Sequence, residues 1–96
     1  NVRVVREDDA ATAKRLAAGK RVDLLFADPP RAGMKPLERV FASAPPGRVV
    51  LVSCHPMAAI RDMANMATNR YTLERVVPID VFPQTPHLEI VAMLRR

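Results

Sequence analysis

The chain has 96 residues, which limits it to one domain at most. Its single cysteine excludes an intrachain disulfide and argues against a zinc site, and no apolar run approaches the ~20 residues of a membrane span. Fifteen basic against ten acidic residues give a net charge of +5, which fits a polyanionic partner and an ordinary basic surface about equally well.

The first quarter of the chain alternates a strand-like and a helical pattern. Residues 1–8 are rich in valine and predict a short strand. A helix is expected next, with Asp8 or Asp9 capping its start and Gly19 ending it. Residues 22–27 are almost continuously apolar, which is typical of a strand covered on both faces.

The middle of the chain repeats the alternation. Residues 36–44 carry apolar side chains at helical spacing, and residues 48–53 predict a second strand covered on both faces. Residues 56–69 predict a third helix. The apolar positions expected to form its buried face are Ile60, Met63, Ala64 and Ala67.

Two more strands are predicted at the end, over residues 71–82 and 87–96. Pro78 cannot donate to a sheet, so it predicts a break, a bulge or an edge position for the first of them. The short connection between the two is too brief for a parallel crossover and indicates a hairpin. The order of elements therefore predicts an α/β fold with a mostly parallel sheet that ends in an antiparallel hairpin.

Polar residues follow two of the predicted strands directly. Asp28 opens the stretch DPPRAG, and Cys54 lies in VSCHP. Ligands of open α/β sheets bind outside the carboxyl ends of parallel strands, so neighbouring strands would bring the acid and the thiol to one edge. A helix starting near Pro56 and the adjacent His55 would favour the reactive thiolate of Cys54. On these residues alone, a nucleophile and a buried structural thiol remain equally open.

The stretch between the last two strands is unusually rich in polar and turn-forming residues. Asp80, Thr85, His87 and Glu89 all fall near the tip of the predicted hairpin. A carboxylate in a partly buried rim can serve as a general base. For each of these residues considered alone, a polar loop position is the better interpretation.

Together, DPPRAG, VSCHP and DVFPQTPHLE resemble, in order and spacing, the carboxyl-terminal half of the RNA uridine-C5 methyltransferase family, which uses S-adenosylmethionine. The resemblance covers essentially the whole chain and implies part of a Rossmann-like class I methyltransferase fold. Two positions depart from the family pattern. His55 stands where Asn is usual, and Gln84 stands where His is usual.

The resemblance implies specific roles. Asp28 matches the acid at the cofactor and target-base edge, Cys54 the nucleophile that adds to C6 of uracil, and Glu89 the base that removes the C5 proton. No metal ligand is implied. The further residues implied as substrate contacts are Arg31, His55, Thr85 and His87.

The resemblance also implies an RNA partner, either tRNA or rRNA, a cytoplasmic location and no membrane association; it does not indicate the oligomeric state. The three glycines form no G-x-G cluster, so the cofactor's Gly-rich loop is expected upstream of residues 1–96, as is any RNA-binding domain. We therefore expect the intact protein to be an enzyme and this segment alone to be inactive.

Three alternatives remain open at this point. An amino-group nucleic-acid methyltransferase would share DPP but has no use for Cys54 or Glu89. A cysteine hydrolase could use Cys54 with His55 or His87 but requires an oxyanion hole that the sequence does not reveal. A non-catalytic RNA-binding remnant would keep the fold without the cofactor.

Overall fold

Residues 2–96 are described by a computed structural model in which one four-stranded sheet carries helices on one side. The helices are α1 (Asp9–Ala18), α2 (Glu38–Ser43), which follows a 3-10 turn at Lys35–Leu37, and α3 (Pro56–Thr68). The strands are β1 (Leu24–Ala27), β2 (Arg48–Ser53), β3 (Thr72–Ile79) and β4 (Glu89–Arg95). No helix within residues 2–96 has the length and apolar character needed to cross a membrane.

The strand order across the sheet is β1-β2-β4-β3. Strands β1 and β2 are parallel, while β4 is antiparallel to both of its neighbours, so three of the four strands run in the same direction. This confirms the expected mostly parallel sheet with a terminal hairpin. Pro78 lies in β3, at the edge of the sheet, where its missing N–H does no harm; of the three outcomes predicted for it, the edge position is the one observed.

The amino-terminal helix forms as predicted, but the strand before it does not. The Asp8 carboxylate accepts the Ala11 N–H at 2.7 Å, and Gly19 caps the other end of α1. Residues 2–8 contain no regular strand, and residue 1 lies outside the described residues. Valine-rich sequence favours an extended backbone, but a strand also needs a neighbour to bond, and no strand of residues 9–96 lies beside this segment.

Within residues 2–96, the core lies on one face of the sheet. Phe41 of α2 and Met66 of α3 pack there against buried residues of the strands, such as Leu51. On the opposite face Leu24 is 54% exposed and Phe26 65% exposed. The prediction that residues 22–27 and 48–53 are covered on both faces is therefore wrong for the described chain. Successive right-handed crossovers that proceed in one direction along a sheet place their helices on the same side.

Helix α3 presents a partly different face to the core from the one predicted: Met63 packs against the core as expected, whereas Ile60, Ala64 and Ala67 are exposed. Its buried side chains are Ala58, Ala59, Asp62 and Met66. Ile60, expected inside, is 53% exposed. The buried face includes Asp62 instead, whose carboxylate accepts a hydrogen bond from the Met34 N–H, a contact that an apolar pattern does not encode.

Candidate active site

The turns that follow β1 and β2 lie side by side at the carboxyl edge of the sheet. The two strands are parallel neighbours with Ala27 opposite Leu51, so Asp28 and Cys54 leave the sheet at the same edge. This confirms the adjacency expected from the sequence. The two side chains nevertheless enter different cavities.

Cys54 lines a cavity of about 180 Å³. The thiol is exposed, and Glu89, the first residue of β4, lines the same space. The cavity is below the ~300–1,000 Å³ of most ligand pockets, so it suits a small group such as a single base. The complete set of lining residues is Arg31, Cys54, Phe82, His87, Leu88 and Glu89.

Two side chains of opposite charge, Arg31 and Glu89, line this cavity. Within residues 2–96, neither Arg31 nor Glu89 takes part in an ion pair. Both groups are therefore available to a ligand. Outside this cavity, burial raises the pKa of Tyr71, and a hydrogen bond from Arg15 lowers the pKa of Glu7.

The turn that carries Cys54 is held by its neighbours in sequence. The buried Ser53 hydroxyl accepts the His55 N–H at 3.2 Å and donates to the His55 carbonyl at 3.1 Å. The His55 imidazole Nδ1 accepts the Ala58 N–H at 3.1 Å and so caps α3. A ring nitrogen that accepts a hydrogen bond carries no proton, so this contact belongs to the neutral imidazole. His55 therefore acts in the structure as a helix cap and does not line the cavity.

The loop between β3 and β4 is shaped by Thr85. Its hydroxyl donates to the Phe82 carbonyl at 2.6 Å, and its oxygen also accepts the His87 N–H at 3.3 Å. The Phe82 and His87 rings meet edge to face with centroids 6.4 Å apart, and both line the cavity. Gln84 adopts a left-handed φ of 62° in this turn. Thr85 thus organises the loop, while Phe82 and His87 present side chains to the site.

Asp28 borders a second cavity, of about 170 Å³, between β1, α1 and the 3-10 turn. Pro29 and Gly33 line it as well, and the Asp28 side chain is exposed. The structure does not bring Asp28 into the space that Cys54 and Glu89 share. Among residues 2–96, no three His, Cys, Asp or Glu side chains are grouped so as to hold a metal ion.

Phe82 and Leu88 line the cavity but were not among the predicted site residues. Both belong to the stretch between Asp80 and Glu89, so the density of turn residues there marked the right segment without marking these apolar positions. Asp80 itself, near the tip of the predicted hairpin, is exposed and does not line the cavity.

Most of the chain matches one protein family and several RNA methyltransferases. Residues 14–96 match the family model described as tRNA (Uracil-5-)-methyltransferase. The chain is 37% identical over 95 residues to an RNA methyltransferase of Thermotoga maritima, covering 98% of this chain and 21% of that protein. It is 40% identical over 77 residues to the 23S rRNA (uracil(747)-C(5))-methyltransferase of Pyrococcus abyssi, covering 80% of this chain and 19% of that protein.

A solved structure agrees with these matches. The crystal structure of the Pyrococcus abyssi tRNA (uracil-54, C5)-methyltransferase in complex with S-adenosyl-L-homocysteine superposes with a TM-score of 0.66 at 36% identity. The match covers 83% of this chain and 20% of that one. The chain thus spans about a fifth of the length of the relatives it matches.

Proposed function

Because the chain belongs to the tRNA (uracil-5-)-methyltransferase family, we propose that it is the carboxyl-terminal part of a catalytic domain that methylates C5 of a uridine in tRNA or rRNA. The observation that carries the proposal is that Cys54 of the second motif and Glu89 of the third, 35 positions apart in sequence, line one small cavity. A thiol and a carboxylate at one ring-sized site are what addition to uracil and later proton removal require.

The uncovered face of the sheet supports the view that the domain is larger than this segment. Leu24 and Phe26 on β1 are more than half exposed, and Met93 on β4 is 38% exposed on the same face. Strand β1 is also an edge with one side unpaired among residues 2–96. Apolar faces and open strand edges are normally covered in stable domains. We propose that upstream sequence covers them and supplies the Gly-rich cofactor loop.

Among the described residues, Asp28 is the one that we propose to contact S-adenosylmethionine. The exposed Asp28 carboxylate borders a cavity of about 170 Å³, which is too small for a whole nucleoside cofactor but open to one of its polar groups. We assign Asp28 to that contact. When bound, S-adenosylmethionine supplies the methyl group, which the protein itself cannot provide.

The residues of this chain then act on the uracil ring. The Cys54 thiolate adds to C6, and the electron pair of the C5–C6 double bond moves toward C5 and O4, which makes C5 a nucleophile. Once C5 carries its methyl group, the Glu89 carboxylate takes the C5 proton. The C5–C6 double bond then re-forms as the C6–S bond breaks, and the thiolate is regained. The lone cysteine is therefore the group that the whole sequence of steps depends on.

RNA reaches such a site as an extruded base. A uracil inside a stack cannot contact both a thiol and a carboxylate, so it must leave the stack to enter the cavity. The exposed Phe82 ring at the cavity offers a surface for stacking, and the excess of basic side chains suits phosphate contacts. We assign Arg31 and His87 as substrate contacts on this basis. The choice between tRNA and rRNA and the cytoplasmic location stay predictions.

The test uses the full-length protein, RNA and S-adenosylmethionine on a denaturing gel. Cys54→Ala should form no protein–RNA adduct. Glu89→Gln should still allow attack and methyl transfer, so the methylated adduct should accumulate. RNA carrying 5-fluorouridine should trap the unsubstituted protein, because fluorine cannot leave as a cation.

Glu74→Gln is the matched control, since Glu74 lies on the same sheet, pairs with Arg95 at 3.9 Å and does not line the cavity. It should turn over without accumulating adduct. Full methylation by Cys54→Ala would refute the uridine-C5 proposal and favour an amino-group methyltransferase. RNA binding with no methylation by the unsubstituted protein would indicate the non-catalytic alternative.

A further inference from the structure

The loop that joins β1 to the 3-10 turn is tied to α3 by two adjacent side chains. The buried Asp62 carboxylate, 4% exposed, accepts the Met34 N–H at 2.9 Å. Its neighbour Arg61 donates to the Ala32 carbonyl and lies 3.4 Å from the Asp62 carboxylate. Residues 32 and 34 are therefore both held from the same turn of α3.

Gly33, between these two anchored residues, shows how close the approach is. Its φ is +89°, in the left-handed region, and a Cβ built on it would lie 2.6 Å from Asp62 Oδ2. Only a residue without a side chain allows the loop backbone to come this close to the carboxylate. The glycine of DPPRAG is thus explained by the contact with Asp62.

Helix α3 therefore supports both sides of the candidate site. Its first residue, Pro56, follows the Cys54 turn, and further along it Asp62 fixes the loop that carries Arg31. Arg31 lines the same cavity as Cys54. One rigid element thus sets where the guanidinium and the thiol stand relative to each other.

We propose that Asp62 is a positioning residue that acts through the loop to place Arg31 against the RNA at the Cys54 cavity. The proposal rests on the function proposed above. Asp62 lies in the core, away from the substrate, and its effect on the reaction is exerted by the backbone of residues 32–34. Arg61 assists from the exposed side.

The test is a double-substitution cycle in the full-length protein, with the RNA KM and kcat of methylation as readouts. Asp62→Ala leaves the Met34 N–H without its partner, and the released loop should raise the RNA KM about tenfold with kcat little changed. Asp62→Asn keeps an accepting oxygen and should restore the KM to within about threefold. When Asp62→Ala is combined with Arg31→Ala, the RNA KM should rise by less than about twofold over that of Arg31→Ala alone, because both substitutions remove the same contact.

Two further variants keep the result interpretable. Tyr71→Phe removes another buried hydrogen bond, from the Tyr71 hydroxyl to the Pro46 carbonyl at 2.6 Å, at the other end of the sheet. It should lower stability and leave the RNA KM unchanged. Arg61→Met, at a side chain that is 55% exposed, should fold even if Asp62→Ala does not, and it should raise the RNA KM in the same non-additive way with Arg31→Ala.

The outcomes separate the two proposals. Suppose that the unsubstituted protein methylates RNA through a Cys54 adduct. If Asp62→Ala and Arg61→Met then leave the RNA KM unchanged, the positioning role is overturned and the function stands. The same holds if their effects on the RNA KM multiply in full with the effect of Arg31→Ala. An RNA KM no better in Asp62→Asn than in Asp62→Ala also overturns it. If the unsubstituted protein forms no adduct and does not methylate RNA, the function fails and the positioning role fails with it.

Discussion

Replacing Gly33 by alanine is the smallest change that should disturb the site loop. The substitution adds one methyl group to a residue at φ +89°, where L side chains are disfavoured. The new Cβ would lie 2.6 Å from Asp62 Oδ2, well inside contact distance. The Arg61 guanidinium lies closer still, so either the loop moves or both Arg61 and the Asp62 carboxylate do. The bond between the Met34 N–H and Asp62 is the buried contact that this movement breaks.

The structure sets the size of the effect. Holding an alanine in the left-handed region costs about 1–2 kcal/mol. Leaving the buried Met34 N–H without its acceptor costs about 1–3 kcal/mol. The free energy of unfolding should therefore fall by roughly 3 kcal/mol, since the loop relieves part of each cost by moving.

Urea unfolding of the full-length protein measures this loss, and hydrogen exchange at the Met34 amide shows whether the loop is its source. Gly19→Ala is the control: Gly19 has an ordinary φ of −89°, and its added Cβ would meet the Arg15 carbonyl at 3.1 Å. It should change stability by less than about 1 kcal/mol, because reduced chain entropy offsets the tight contact. A loss for Gly33→Ala no larger than that of Gly19→Ala, or an unchanged Met34 exchange rate, would refute the reasoning.

Four other results are expected. Tyr71→Phe should cost about 1–2 kcal/mol by leaving the buried Pro46 carbonyl unpaired, measured by urea unfolding at neutral pH. Because burial raises the pKa of Tyr71 in the folded chain, the native state holds that proton more tightly than the unfolded state does. The free energy of unfolding should therefore stay constant below the ordinary tyrosine pKa and fall as the pH rises above it. An equally steep fall of the unfolding free energy with pH in Tyr71→Phe would contradict this. His55→Asn should keep the α3 cap and most of the thermal stability, whereas His55→Ala should lower the free energy of unfolding by about 1 kcal/mol. Equal losses of stability in the two variants would argue against the cap. Residues 1–96 alone should bind S-adenosylmethionine weakly or not at all in calorimetric titration, and micromolar affinity would show that the Gly-rich loop is dispensable.

The sequence by itself determined the features that depend on neighbouring residues. The strand at residues 48–53 and a helix cap at Asp8 or Asp9 follow from local sequence, and the structure shows that strand and the cap at Asp8. For Pro78 the sequence allowed a break, a bulge or an edge position, and the tertiary structure selects the edge. The order of strands and helices predicted parallel strands followed by an antiparallel hairpin, because crossover handedness and connection length restrict the arrangements. It did not predict that β4 lies between β2 and β3. The motif series was enough for the family, although none of its residues shows by itself which cavity it enters.

Only the tertiary structure shows which strands pair and which apolar surfaces are buried. Among residues 2–96, the strand-like sequence of residues 2–8 has no strand beside it, and the apolar outer face of β1 is exposed. The inward face of α3 includes Asp62, which apolar periodicity assigns to solvent, because its stability inside comes from a backbone N–H supplied by residue 34. Burial of a polar group depends on a partner that is distant in sequence, and no local pattern records where that partner will lie.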